Sequence, residues 1–407
     1  MKTPKRYSSP SFYDRQWEQR HLQGLLQQDA NILITAPRRV GKTELSYKLL
    51  DWASEQGWLT TYANVEEAQH EADFFDELLR ALGGAGIRPK VLDQLKNARD
   101  DLRRHLPSRA KISNGETSLE VELTPAAEDA LKQAEEKLGQ LLESLTESQQ
   151  TLLIALDELP IFLTTLCDQP GGEIRAKAML HWFRKLRNSP ALRHVRWLLC
   201  GSIGLDTFVE QRSLEGSIND LRPEKLGPFE DAIAVEFVKH RAKLGTEPLD
   251  IKNDLAQAMV TRVGWALPFY LQLMVTELQG LTPCRRSTDY PSLADIETAY
   301  AGLISPDKKV QFMHWVGRLD LQFGKVAAHG VRAILKQCCQ KSEGTTRLRL
   351  RNLMIKRQPH EDSETIDREL SRVLGILERD GYLQSTGTRW AFRSFLLRDF
   401  WQRHVLH

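Results

Sequence analysis

Lys42 and Thr43 in one stretch, and Asp157 and Glu158 in another, are residue types that could act together on a polyphosphate. The first pair closes Ala36-Pro37-Arg38-Arg39-Val40-Gly41-Lys42-Thr43, which follows the apolar run Ile32-Leu33-Ile34 and precedes a helical segment from Glu44 to Trp52. The pattern is GxxxxGK[ST] with Ala36 at the first glycine. A tight strand-to-helix turn from Pro37 to Glu44 would aim backbone N–H groups at phosphate, and helix N-terminal polarity adds to that attraction. Gly41 lets the backbone come close, Lys42 can reach the β/γ oxygens, and Thr43 can ligate Mg²⁺. Ala36 is compatible with the turn provided its φ is negative.

The second pair ends Thr151-Leu152-Leu153-Ile154-Ala155-Leu156-Asp157-Glu158. A continuous apolar run closing on two carboxylates is how a buried parallel strand presents acids at its tip. Asp157 would hold Mg²⁺, directly or through water, and Glu158 would polarise an attacking water. Such runs recur by chance; the phosphate-binding pattern upstream gives this one its meaning. A further buried-strand pattern, Val195-Arg196-Trp197-Leu198-Leu199-Cys200-Gly201-Ser202, ends in a hydroxyl. From a strand between the other two, Ser202 could sense a γ-phosphate or position water; equally, it could cap the next turn.

Positioning these groups requires a sheet with helices packed on it. Leu22, Leu25 and Leu26 mark an amphipathic helix ahead of the loop. Leu59–Ala63 reads as the second strand, with Asn64, Glu66 and Glu67 at the end that faces the ligand crevice in open α/β sheets. Phe74, Phe75, Leu78, Leu79 and Leu82 recur at helical spacing as packing residues, and helical periodicity returns over Ala127–Leu145 and Ile174–Arg187. The stretch 84–126 reads as an excursion in which Asn114-Gly115, between short alternating runs, predicts a β-hairpin.

From Asp231 the pattern is helical, broken at Gly264-Trp265-Ala266-Leu267-Pro268. Glycine and proline four apart separate two helices, a natural place to contact a base ring. Beyond the turn-rich Pro283–Pro291, helical candidates at 311–323, 331–339, 348–355 and 366–381 precede a short hairpin over 382–392 and a last helix, 395–405. Helices followed by a hairpin read as a winged helix. Arg368, Arg372 and Arg379 line its candidate recognition helix, and Arg389 and Arg393 flank the wing, but Asp367, Glu369, Glu378 and Asp380 interleave with them. The acids argue for packing or protein contact over a uniform phosphate-facing stripe.

At 407 residues the chain is long enough for roughly two or three domains with proper cores. It is 27% charged and 41% hydrophobic, an ordinary globular composition, without the long apolar run of a membrane span or the apolar core of a secretory leader. Cys167, Cys200, Cys284, Cys338 and Cys339 lack zinc-ligand spacing, which points to a reducing, cytoplasmic compartment. The net charge of +2 hides an asymmetry: residues 301–407 hold 19 Lys+Arg against 11 Asp+Glu, and the remainder 37 against 43. A basic tail leans towards a polyanionic partner.

Together, APRRVGKTEL, LLIALDELPIFL, the strand ending in Gly201-Ser202, LGPF at 226–229 and GWALPFYLQLM resemble the archaeal-type ATPases, a STAND-like branch of the AAA+ P-loop proteins. The likeness spans nearly the whole chain. FYDRQWE at 12–18 looks like the family's hhGRExE element, with Asp14 where glycine is usual, and places Arg15 and Glu18 near the base or ribose. Pro268 is similar to the lid proline that packs near adenine, and LRDFW looks like the end of the winged helix that follows this lid. The chain departs from the pattern at Ala36 and lacks the repeats that follow the winged helix in large STAND signalling proteins.

The expected architecture is therefore an α/β P-loop NTPase core of parallel sheet flanked by helices (1–228), a helical lid (229–290) and a winged-helix domain (291–407). The expected activity is ATP binding with slow Mg²⁺-dependent hydrolysis, driving a switch that presents the winged helix to a protein partner. The alternative is an ATP-regulated DNA-binding protein of the initiator-like AAA+ type. The expected site comprises Pro37, Arg38, Arg39, Val40, Gly41, Lys42, Thr43, Glu44, Arg15 and Pro268 for nucleotide. Thr43 and Asp157 are expected to hold Mg²⁺, and Glu158, Lys42 and Ser202 to serve catalysis. Arg38, Arg39, Arg212 and Arg222 remain equal candidates for the arginine that stabilises the transition state. A homo-oligomer is compatible with this reading and a membrane role is not expected.

Overall fold

The computed structural model describes residues 12–85, 93, 97, 125–144, 150–201, 204–245, 247–281 and 291–405, with side chains of the 125–144 helix described from 131 onward. The chain divides into two compact units, one of residues 1–35 and 42–226 and one of residues 36–41 and 227–407. The hairpin expected within 84–126, Ser202 and most of the 283–291 connection lie outside the described residues.

The first unit is built on five parallel strands: β1 (Asn31–Thr35), β2 (Leu59–Asn64), β3 (Leu152–Asp157), β4 (Val195–Gly201) and β5 (Leu221–Lys225). Their order is β2-β3-β4-β1-β5, which puts β4 between the strand entering the glycine-lysine loop and the strand bearing the two acids. Every residue of β3 and β4 is buried, as expected for central parallel strands covered on both faces. Pro223 sits in β5, an edge strand, where a missing N–H costs no ladder bond on the open side.

Around the sheet, in chain order, come α1 (Gln16–Gln27), α2 (Lys42–Glu55), α3 (Glu71–Gly83), α4 (Pro125–Ser144), α5 (Leu159–Cys167), α6 (Gly172–Arg187) and α7 (Leu205–Glu210). The helical spacing of Phe74, Phe75, Leu78, Leu79 and Leu82 is the buried face of α3. Phe74 stacks on Phe162 of α5 at 5.2 Å, and Trp197 of β4 meets Phe183 of α6 edge-on at 4.8 Å. These large apolar side chains supply most of the burial that holds helices to sheet.

The second unit opens with α8 (Asp231–Ala242), α9 (Asn253–Val263), α10 (Pro268–Gly280) and α11 (Leu293–Leu303). The break foreseen between 264 and 268 is real: Gly264 closes α9 at φ 76°, and Pro268 is the first residue of α10. Gly264 is fixed twice over, because a Cβ there would come within 2.5 Å of the Phe395 ring.

The remainder is α12 (Val310–Cys339), β6 (Thr345–Thr346), α13 (Arg347–Arg357), α14 (Ser363–Arg379), β7 (Leu383–Thr386), β8 (Arg389–Phe392) and α15 (Phe395–His404). α12 is two helices joined at Gly324, whose φ of 73° and ψ of 152° are not helical. The expected hairpin is present, with Gly387 at φ 65° in its two-residue turn, and β6 adds a third antiparallel strand on β8. Asp362 caps α14 through two 2.9 Å bonds from Glu364 N–H and Thr365 N–H, and Ser394 caps α15. The order in this part is helix, strand, two helices, hairpin and helix. Among the described residues no helix is long and apolar enough to cross a membrane.

Candidate functional site

β1 carries Ile32, Leu33 and Ile34 into the buried sheet and delivers the chain to the 36–41 loop. The loop turns through Arg39 at φ 68° and Gly41 at φ 100°, while Ala36 stays outside the left-handed region. The alanine in place of the usual first glycine therefore meets no backbone obstacle. Helix α2 begins at Lys42, which is 93% buried by its neighbours (7% exposed). Ser46, one turn on, donates to Lys42 O at 3.0 Å and lies 3.2 Å from Cys200 Sγ, tying the start of α2 to β4.

Strand register sets the acids level with this turn. Cys200 of β4 pairs with Ile34 on one side and Asp157 on the other, so Asp157 ends its strand beside the last buried residues of β1. Asp157 Oδ2 accepts hydrogen bonds from Thr43 Oγ1 at 3.2 Å and Tyr62 Oη at 2.8 Å; Oδ1 accepts from Glu158 N–H at 3.1 Å. Burial pushes the Asp157 carboxyl above the usual aspartate range, and the Glu158 charge pushes the same way, while Tyr62, Lys42 and Thr43 oppose it. Glu158 is buried and left-handed at φ 62°, its N–H also donating to Cys200 O at 2.9 Å. A non-glycine residue held there carries backbone strain of roughly 1–3 kcal/mol, a cost that clusters at functional sites.

Tyr62 is a site residue that chain spacing does not announce. It stands on β2 opposite Ala155, one strand over from the acid it bonds, and stacks on Tyr47 of α2 at 4.7 Å. The hint in the sequence is a tyrosine two residues before the end of a strand expected to point at the crevice. Asn64, by contrast, accepts from Glu66 N–H at 2.8 Å and caps a turn.

Arg15 is buried at the head of α1 and donates to Glu18 at 2.7 Å, so the two residues singled out in the 12–18 element pair with one another. Asp14 takes φ 56°, a left-handed conformation that aspartate tolerates better than most residues. In the second unit the Arg39 guanidinium lies 4.3 Å over the Phe269 ring, next to Pro268. Arg212 pairs with Glu173 at 3.3 Å and covers the Phe208 ring at 4.2 Å.

The second unit also holds a stripe on the first half of α12 that sequence reading passed over. Gln311, His314, Trp315, Arg318 and Gln322 each carry a buried polar atom without a hydrogen-bond partner. His314 is pulled down to about 3, by burial first and then by Arg39, Arg38 and Arg318. Arg318 lies 3.2 Å from Asp380, both almost wholly buried, at ion-pair distance but without the direction of a hydrogen bond.

Mg²⁺ is the ion this arrangement implies, and the residues fit it. Thr43 and Asp157 offer two hard oxygen donors 3.2 Å apart, and a divalent cation would offset the burial that disfavours the Asp157 charge. No group of three or more His, Cys, Asp and Glu suited to a metal occurs among the described residues, as befits an ion that keeps water and phosphate oxygens as ligands.

No family model matches the chain, and no curated protein matches it. Among solved structures, a Walker-type ATPase of Pyrococcus abyssi superposes with a TM-score of 0.60 at 18% identity, covering 96% of each chain. The ADP form of the ORC2 protein of Aeropyrum pernix superposes at 0.48 and 13% identity, over 96% of this chain and 92% of that one. Sheet order, strand–loop–helix geometry and the first superposition define the fold: a P-loop NTPase core followed by a helical C-terminal region.

Proposed function

We propose that this chain is a nucleotide-binding protein of the AAA+ type, an archaeal-type ATPase of the STAND-like branch that hydrolyses ATP slowly with Mg²⁺ in the cytoplasm. The reading rests on one observation above all. A GKT turn begins a helix whose Thr43 is hydrogen-bonded to Asp157 at the tip of a buried parallel strand.

The chain's own residues divide the work by position. Backbone N–H groups of the 37–44 turn bind the phosphates, and Lys42 neutralises their charge. Thr43 and Asp157 would hold Mg²⁺, which when bound would supply positive charge against the phosphates. Tyr62 fixes the Asp157 carboxylate. Glu158, oriented by its strained backbone, draws the proton from the attacking water, and Ser202 reads the γ-phosphate. Arg15 and Pro268 contact the base or ribose. Phosphoryl transfer needs this kind of positioning and charge neutralisation more than covalent chemistry.

The domain reading goes with it: core to 228, lid over 229–290, winged helix from 291, the last presented to a protein partner when nucleotide is exchanged. DNA binding through the winged helix is the weaker alternative. Arg368, Arg372, Arg351 and Arg389 are engaged by Glu364, Glu369, Asp367 and Glu343 at 2.7–3.5 Å, which diverts these four from phosphates. Phosphate release from ATP by the purified chain, with Mg²⁺ and with EDTA, tests the activity. Mg²⁺-dependent release is expected; a chain that neither binds nor cleaves ATP overturns the proposal.

A further inference from the structure

Lys177, His181, Arg184, Lys185 and Asn188 form one exposed stripe along and just past α6, at spacings of four, three, one and three residues. They form one wall of an open cleft of about 570 Å³, whose other wall is Ser213, Leu214, Gly216 and Ser217. The cleft belongs to the first unit and shares no residue with the strand tips that carry Asp157 and Glu158. No carboxylate lines it. The two other cations of α6 are spoken for, Arg175 by Glu71 and Arg187 by Asp220. By contrast, Lys177, His181, Arg184 and Lys185 make no ion pair among the described residues, Glu135 acting on Lys185 only at longer range.

We propose that this cleft is a docking site for the phosphate backbone of duplex DNA. The inference does not depend on the nucleotide site, and it places polyanion contact on the core rather than on the basic C-terminal tail. Its warrant is the contrast in neutralisation. The tail has the larger excess of positive charge, yet Arg351, Arg368, Arg372 and Arg389 there are each paired with a carboxylate, while Lys177, Arg184 and Lys185 of α6 are not. Local field, not net charge, decides where a polyanion settles.

Geometry selects the occupant. Eight helical residues separate Lys177 from Lys185, a span of about 12 Å, which along the duplex axis covers about three to four phosphate intervals of one strand at about 3.4 Å each. Lys177, Arg184 and Lys185 supply three permanent charges. The stripe is extended rather than convergent, so it suits a line of phosphates better than a lone anion. Leu214 is the only apolar side chain in the lining, and no Phe, Tyr or Trp ring lines it to serve as a platform for an unstacked base. The Ser213 hydroxyl offers a donor to phosphate or sugar without reading bases, whereas that of Ser217 is already given to Leu214 O at 2.7 Å.

The experiment measures anisotropy of a labelled duplex and of its single strand against the full chain, over about 50 to 200 mM salt. Wild type is compared with Lys177→Gln/Arg184→Gln/Lys185→Gln and with Arg368→Gln/Arg372→Gln; all five positions are partly or fully exposed, so the variants should fold. The wild type should bind duplex more tightly than single strand, independent of sequence. Removing three phosphate contacts should lower the salt slope by about 2.7, so affinity falls about 40-fold less between those two salt concentrations. The α14 variant should keep the wild-type slope, and ATP affinity should be unchanged in both. Failure of wild type to bind duplex at low salt overturns the proposal, as does preference for single strand. So does an unchanged slope in the triple variant, or loss of binding in the α14 variant instead.

Discussion

Thr43 Oγ1 lies 3.2 Å from Asp157 Oδ2, joining the first turn of α2 to the tip of β3 across the intervening strand β4. Residues 114 apart in sequence meet because β1, β4 and β3 are parallel and in register, and each ends at the same edge of the sheet. The site is therefore a property of sheet order as much as of motif.

Glu158 is the proposed general base, and Glu158→Gln keeps its shape while removing its basicity. Phosphate release should fall by about a hundredfold or more, with ATP affinity retained. Single-turnover measurement on a verified variant checks this; unaltered turnover would move the base elsewhere.

Asp157 gives a stability prediction with a definite sign. Its carboxyl is raised in the native state, by burial first and then by Glu158. The fold therefore holds this proton more tightly than the unfolded chain does. The resulting stabilisation is present below the ordinary value of 3.8 and is lost as pH rises through the native one. Asp157→Asn removes the buried charge, so the nucleotide-free variant should have a higher urea midpoint than wild type at pH 7. The gap should close as pH is lowered towards 3.8. A variant less stable than wild type at pH 7 would contradict the assignment.

Tyr62→Phe deletes the 2.8 Å bond to Asp157 and nothing else polar. A hydrogen bond to a charged group is worth about 1.5–3 kcal/mol, so half-saturating Mg²⁺ for turnover should rise about tenfold or more. Metal-free ATP affinity, measured in EDTA, should hold.

Much of this site is legible from the chain, for a physical reason. Ile32-Leu33-Ile34 and Leu152–Leu156 are continuous apolar runs, and buried parallel strands are the elements whose ends must carry the chemistry. The same reading placed the strand of Cys200 between the other two, and the Gly264–Pro268 break reads directly because glycine and proline have conformations of their own. Tyr62 is different. Its partner is fixed by the β2–β3 register, which no local pattern encodes. Strand β6 escapes because its two threonines are too few to alternate, and α12 runs past Phe323 because a glycine kink interrupts it without ending it. Of the acids seen interleaved on α14, Glu369 engages Arg372 and Asp367 engages Arg351, while Arg368 is engaged by Glu364, which was not singled out.

Arg318 and Asp380 are both almost wholly buried, at 3.2 Å. Asp380→Ala would leave the guanidinium uncompensated, at a cost of roughly 3–5 kcal/mol. Arg318→Met with Asp380→Leu should recover most of it. Unfolding midpoints of the single and double variants decide, and a double variant as unstable as the single one would contradict the pairing.

If nucleotide drives a switch, residues 311–405 should report it. Hydrogen exchange there should differ between a nonhydrolysable ATP analogue and ADP at saturation, since only the former adds γ-phosphate contacts. Identical protection would leave the C-terminal region without a part in the cycle.

The central claim is that the 36–43 turn binds ATP, and calorimetric titration of ATP into wild type and Lys42→Ala tests it most directly. Lys42 is the one lysine of the turn, and a small side chain at a helix start leaves the fold intact. Wild type is expected to bind, and the variant to lose tight binding while its melting curve stays close to wild type. A folded Lys42→Ala protein that binds ATP with unchanged affinity would contradict the account.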